Sequence, residues 1–110
     1  MNEQIDYVEL PGGELASTKA FYADVFGWSF TDYGPEYAGI EGDGIDGGLD
    51  ATAAGGTPPL VILRAYDLEA TLARVEAAGA EVVRSIYAFP GGRRFHFRDP
   101  AGNVLAVWGE

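Results

Sequence analysis

Hydrophobic and polar positions along the chain set out the same order of elements twice. "IDYVEL" (5–10) alternates as a strand does, and "PGG", Pro11 to Gly13, ends it. From Glu14 the period changes. Leu15, Thr18, Tyr22, Val25 and Phe26 recur at helical spacing, Phe21 widens the apolar stripe, and Gly27 is placed to stop the helix. Three short extended segments follow, "WSFTDY", "EYAGIEG" and "IDGGLDA", and then "AAGGTPP" (53–59), which has the composition of a linker. Beyond it "LVILRA" reads as a strand, Asp67 as an N-cap, and Leu68, Leu72 and Val75 as a helical face closed by Gly79. "EVVRSIY", "RRFHFRD" and "NVLAVWG" supply three more strands.

Each half therefore reads β-α-β-β-β, and a repeat of about 50 residues means two copies of one unit that bury a sheet face together. The expectation is an α+β fold in one domain over residues 1–110. Module one covers about 1–52, the linker about 53–59 and module two about 60–110. A helix covers one face of each sheet and leaves the other free to curve around a cleft. Near the end, Asp99 and Pro100 with Gly102 and Asn103 predict a tight turn that fixes the register of its flanking strands.

Charge narrows the partners. With 17 acidic and 7 basic residues in 110, the formal net charge is −10. This argues against nucleic acid and anionic membranes, which need a basic stripe. The one locally cationic segment holds Arg93, Arg94 and Arg98 around His96, the single histidine. There are no cysteines, so thiolate metal sites and cysteine nucleophiles are excluded. No apolar run approaches the roughly 20 residues that cross a bilayer. "MNEQIDY" lacks the basic start and apolar stretch of a secretory leader, and the absence of cysteine fits a reducing cytoplasm, the location expected. "GDGIDGG" lacks the twelve-residue calcium-loop pattern, and "PGGE" lacks the end of a phosphate loop.

Three stretches carry a resemblance: "YVELPGGELASTKAFYADVFGW", "DLEATLARVEAAGAEVV" and "FRDPAGNVLAVW". In this order and spacing the chain resembles the vicinal oxygen chelate superfamily, which includes glyoxalase I, the fosfomycin- and bleomycin-resistance proteins and the extradiol dioxygenases. The resemblance covers essentially the whole chain and implies two βαβββ modules forming a curved mixed sheet around a cleft. It also implies a homodimer, which would protect exposed sheet edges. In metal-dependent members the ligands come from fixed strand positions. Aligned without gaps, these fall on Tyr7, near Leu60, on Ala106, and on Gly48, the place the resemblance implies for a further carboxylate. Leu and Ala cannot ligate a metal, and a lone Tyr is a poor anchor for one. No metal and no other cofactor is therefore expected.

Strand alternation then names the residues sharing a face with those positions. They are Ile5, Tyr7 and Glu9; Leu60, Ile62 and Arg64; Val104, Ala106 and Trp108; and Arg94 with His96. Val61, Leu63, Phe95 and Phe97 turn to the helices. Trp28, Tyr33 and Tyr37 are further aromatic residues whose facing the pattern leaves open. The expected ligand-binding set is Tyr7, Glu9, Leu60, Ile62, Arg64, Arg94, His96, Ala106 and Trp108, an apolar and aromatic surface with a few polar groups, as small-molecule sites have. Each has a structural alternative. His96 also suits a hydrogen-bonded wall residue, Trp108 a core or dimer contact, and Glu9 a cross-strand ion pair with Arg64 or Arg94. "FPGGRR" (89–94) reads either as a mobile loop attracting an anionic group or as a solvated hairpin tip.

Two functions compete. One is a metal-independent small-molecule binding protein. The other is an enzyme of lyase, isomerase or dioxygenase type, using an unrecognised metal site or His96 and Glu9 as acid and base. A vestigial regulatory domain is a third reading, because fold membership alone does not decide activity.

Overall fold

The element order expected from the periodicities is the order found. A computed structural model describes residues 3–42 and 44–110. Met1 and Asn2 of the "MNEQIDY" start, and Asp43 of "GDGIDGG", lie outside the described residues. The elements are β1 (Gln4–Pro11), α1 (Leu15–Phe26), β2 (Ser29–Asp32), β3 (Tyr37–Glu41), β4 (Asp46–Asp50), β5 (Leu60–Arg64), α2 (Leu68–Ala77), β6 (Glu81–Phe89), β7 (Gly92–Arg98) and β8 (Val104–Gly109). The fold is α+β.

Both helices start and stop where their end residues dictate. The Glu14 carboxylate accepts from the Ala16 N–H at 2.6 Å and opens α1. Gly27 ends it with φ +72°, a left-handed conformation that strains other residues. Asp67 caps α2 by accepting from the Ala70 N–H at 3.0 Å, and Gly79 follows that helix at φ +85°.

The described chain divides into two units. One spans residues 7–59, and the other joins 60–110 to the start of the chain through Asp6. In the 7–59 unit the strand order is β2-β3-β4-β1, with β1 parallel to β4 and the remaining pairs antiparallel. Glu9 stands opposite Gly48 in this register. The stripe of α1 departs from expectation: no α1 residue is fully buried, and Phe21, Val25 and Phe26 are 56, 52 and 60 % exposed. Trp28 folds back on this helix, stacked 4.8 Å from Tyr22 and tilted 5.9 Å from Phe26. A cavity of about 420 Å³ remains, lined by Val8, Leu10, Phe26, Trp28, Ile40 and Ile45. Gly47 of β4 also borders it and offers no side chain to fill it.

In the other unit the order is β5-β8-β7-β6, with β5 parallel to β8 and antiparallel pairs beyond. Its core is Ala65, Leu68, Phe95 and Val107, packed with Leu63, Leu72, Val75, Ile86 and Phe97. Leu63, Phe95 and Phe97 thus join the core with the α2 residues, as alternation required. Burying a Phe such as Phe95, which has no exposed surface, contributes about 2–3 kcal/mol.

The "FPGGRR" loop shrinks to Pro90 and Gly91, because β6 runs through Phe89 and β7 begins at Gly92. Arg93 and Arg94 are therefore strand residues. Arg93 donates to the Glu69 carboxylate and, at 2.9 Å, to the Glu110 carbonyl. The Asp99 turn is built as expected. One carboxylate oxygen accepts from the N–H groups of Ala101 and Asn103 at 2.9 Å, the other from the Asn103 amide at 3.0 Å, and Gly102 takes φ +94°. This locks His96 opposite Ala106 and Arg94 opposite Trp108. Among the described residues no helix is long and apolar enough to cross a membrane.

Candidate functional site

In the 7–59 unit the site grows from three neighbouring strands. β1 carries Tyr7 and Glu9, β4 carries Gly48, and β3 carries Tyr37. The Tyr37 hydroxyl donates to Glu9 Oε2 at 3.0 Å and is also hydrogen-bonded to the Tyr7 hydroxyl. Each phenol has one proton, and a carboxylate accepts only. Tyr37 gives its proton to Glu9, so Tyr7 donates to Tyr37, and donation runs in one direction, Tyr7 to Tyr37 to Glu9. Burial, reinforced by the Glu9 charge, raises the Tyr37 hydroxyl far above its ordinary 10. Burial, assisted by the charges of Glu9 and Asp46, likewise raises Tyr7. Both phenols are protonated at neutral pH.

Gly48 makes this arrangement sterically available. A Cβ there would lie 2.1 Å from Tyr37 Oη, 2.4 Å from Tyr37 Cζ and 2.6 Å from Tyr7 Oη. The two hydroxyls occupy the volume that a side chain at 48 would take.

The other unit assembles a second group. Arg94 Nε donates to the Tyr87 hydroxyl, which lies 2.9 Å from His96 Nε2. A guanidinium only donates, so the Tyr87 oxygen accepts from Arg94, and the direction of its bond with His96 follows the His96 tautomer. Burial, then the charges of Arg94 and Arg84, lowers His96 from 6.5 to about 4. It is a neutral imidazole at pH 7. The Arg84 guanidinium sits 3.5 Å above the Tyr87 ring, within cation–π range.

The predicted residues divide by exposure. Tyr7, Leu60, Arg64, Arg94, His96 and Trp108 keep part of their surface, whereas Glu9, Ile62 and Ala106 are buried at 8, 3 and 0 % exposure. Trp108 donates its indole N–H to Asp6 at 3.1 Å. One face of its ring is covered by the Arg64 guanidinium at 4.7 Å, which also approaches the Tyr66 ring at 5.5 Å. Arg64 reaches Glu110 at 3.4 Å, while its Nε is buried without a hydrogen-bond partner.

Tyr87 and Arg84 escaped the sequence reading for a definite reason. In a regular strand, residues three apart point to opposite faces. The register of β6 shifts between Arg84 and Tyr87, so Arg84 is opposite His96 while Tyr87 is opposite Arg94, and both side chains meet. Of the aromatic residues left open, Tyr37 joins Tyr7, Trp28 packs on α1 and Tyr33 is 64 % exposed.

The sequence pattern of the Glyoxalase/Bleomycin resistance protein/Dioxygenase superfamily matches residues 4–107, and the chain belongs to that superfamily. A curated relative, the anthracycline biosynthesis protein DnrV of Streptomyces peucetius, is 31 % identical over 93 % of this chain and 45 % of its own length. The chain thus spans about half of that relative. Among solved structures, a superfamily member from Vibrio splendidus superposes with a TM-score of 0.69 at 18 % identity, covering 98 % of each chain. Methylmalonyl-CoA epimerase of Mycobacterium tuberculosis superposes at 0.74 with 16 % identity over 96 % of this chain and 86 % of that one. At these identities the structural likeness establishes the fold alone.

The positions onto which the resemblance carries the metal ligands of metal-dependent members hold residues that do not suit a metal. In the first module the place of a carboxylate is Gly48, filled by two phenols, and in the second Leu60 and the buried Ala106 offer no donor atom. Among the described residues no three His, Asp or Glu side chains gather to hold an ion.

Proposed function

We propose that the protein is a metal-independent binding protein for a small, largely aromatic molecule. The observation that carries this reading is the Tyr7–Tyr37 pair standing in the volume a side chain at Gly48 would need. In the 7–59 unit the polar anchor is Tyr7, held in place by Tyr37. Small-molecule sites combine such anchors with apolar surface. The name of the relative DnrV suggests the ligand class, flat fused-ring aromatic compounds of the anthracycline kind.

A homodimer fits the apolar residues that α1 leaves exposed, Phe21, Val25 and Phe26. The cysteine-free composition fits the cytoplasm.

The test has two arms, read by thermal melting and calorimetry. Chelator-stripped protein is titrated with Ni²⁺, Zn²⁺, Mn²⁺ and Fe²⁺, and separately with 2-(hydroxymethyl)anthraquinone as a flat aromatic probe. A ligand with micromolar affinity or better raises Tm at excess by mass action. The reading expects stabilisation by the probe and none by metals. Saturable one-to-one metal binding would overturn it.

A second reading, acid–base catalysis, draws on the neutral His96 and on the hydrogen-bonded route from Tyr7 to Glu9. Turnover of a bound ligand that is lost in His96→Gln or Glu9→Gln would favour it.

A further inference from the structure

The one-way hydrogen bonding from Tyr7 to Glu9 has a consequence for what the first module recognises. Glu9 is 8 % exposed and terminates the sequence of donors, which fixes the Tyr37 proton on Glu9 and the Tyr7 proton on Tyr37. Tyr7 Oη then has lone pairs but no proton left to offer. The phenol is half-buried on its strand. A side chain at 48 would have displaced this arrangement, and glycine leaves it intact.

We propose that Tyr7 Oη is an acceptor-only anchor, selecting ligands that present a hydroxyl or ammonium donor there and disfavouring those that present an ether, carbonyl or carboxylate oxygen. The proposal rests on the binding reading above and adds the chemistry of one ligand group. Hydrogen-bond polarity discriminates well when the protein group cannot turn its proton around, because a mismatched ligand faces lone pair against lone pair. Here a reversal of Tyr7 requires breaking its bond to Tyr37. A neutral tyrosine elsewhere on the surface rotates its hydroxyl and accepts either kind of partner.

The variants follow from the same logic. Tyr7→Phe removes the acceptor. Glu9→Gln replaces the accepting terminus by an amide that can donate to Tyr37, which lets the donors run outward and gives Tyr7 a proton to present. Tyr37→Phe frees the Tyr7 proton directly, and serves if Glu9→Gln fails to fold.

The experiment compares 2-(hydroxymethyl)anthraquinone with its methyl ether by calorimetry on wild type and these variants. The wild type should favour the alcohol by about tenfold, the scale of one neutral hydrogen bond. That preference should vanish in Tyr7→Phe and fall or reverse in Glu9→Gln and Tyr37→Phe. Equal binding of both probes by the wild type, or an unchanged preference in Tyr7→Phe, overturns the anchor while leaving the binding reading standing. Failure of both probes to bind overturns the reading instead, and the anchor is then decided on the ligand-free protein. Proton NMR with selectively labelled tyrosine should show a downfield, slowly exchanging Tyr7 hydroxyl proton that is lost in Tyr37→Phe. A Tyr7 hydroxyl exchanging as freely as that of the exposed Tyr33 refutes the one-way donation.

Discussion

Replacing Gly48 by alanine tests the Tyr7–Tyr37–Glu9 arrangement by a single methyl group. The new Cβ would lie 2.1 Å from Tyr37 Oη and 2.6 Å from Tyr7 Oη, distances at which both rings must move. Overpacking of this kind costs about 1–3 kcal/mol. Moving Tyr37 also gives up its 3.0 Å bond to Glu9, and a hydrogen bond to a charged group contributes about 1.5–3 kcal/mol. Against this, alanine restricts the unfolded chain and returns about 0.4–1 kcal/mol. The net expectation is a loss of about 2–4 kcal/mol, a sizeable part of the roughly 5–15 kcal/mol that stabilises a typical domain. Urea unfolding followed by circular dichroism and tryptophan fluorescence measures it. The attribution is checked by a double-mutant cycle with Tyr37→Ala, which removes the obstructing ring. Gly48→Ala should then cost at least about 1 kcal/mol less than in wild type. A Gly48→Ala protein as stable as wild type, or equal costs in the two backgrounds, would refute the steric account.

The remaining expectations are more local. His96 has a folded-state value of about 4 against 6.5, so the unfolded chain takes up the proton first as pH falls. Its contribution is present in full above 6.5 and is lost between 6.5 and 4. The gap corresponds to at most about 3 kcal/mol, which partial exposure screens to about 1–2. Urea melts at pH 7 and 4.5 should show a smaller acid loss in His96→Gln than in wild type, and equal losses would contradict the burial of the neutral ring. Phe95→Ala, at a site without exposed surface, should cost about 3–5 kcal/mol in the same assay. Gly102→Ala, at φ +94°, should cost about 1–2 kcal/mol through backbone strain at the Asp99 turn. If α1 forms the dimer contact, Phe26→Glu should yield monomers in sedimentation velocity, and an unchanged sedimentation coefficient would place the contact elsewhere.

The amino-acid sequence by itself determined the elements and most of their facing. Both helix starts, both glycine stops and the Asp99 turn depend on side chains and backbone freedom within a few residues, and such local causes survive being read one at a time. Alternation likewise placed Phe95, Phe97 and Leu63 in the core and His96 and Arg94 on the same side of β7, because period two holds along a regular strand. At Gly48 the resemblance alone implied the place of a carboxylate. What stands there instead was decided only by tertiary structure. Tyr37 reaches Tyr7 and Glu9 across β4, a contact set by strand order and register rather than by proximity in the chain. A shift of register in β6 brings Arg84 onto Tyr87, against the parity that the sequence implies. The apolar stripe of α1 predicts burial by its period, yet burial needs a surface to pack against, and the glycine of β4 beneath it provides little. Periodicity is a property of one segment, whereas a hydrogen bond between strands, a bulge and a packed face are properties of two.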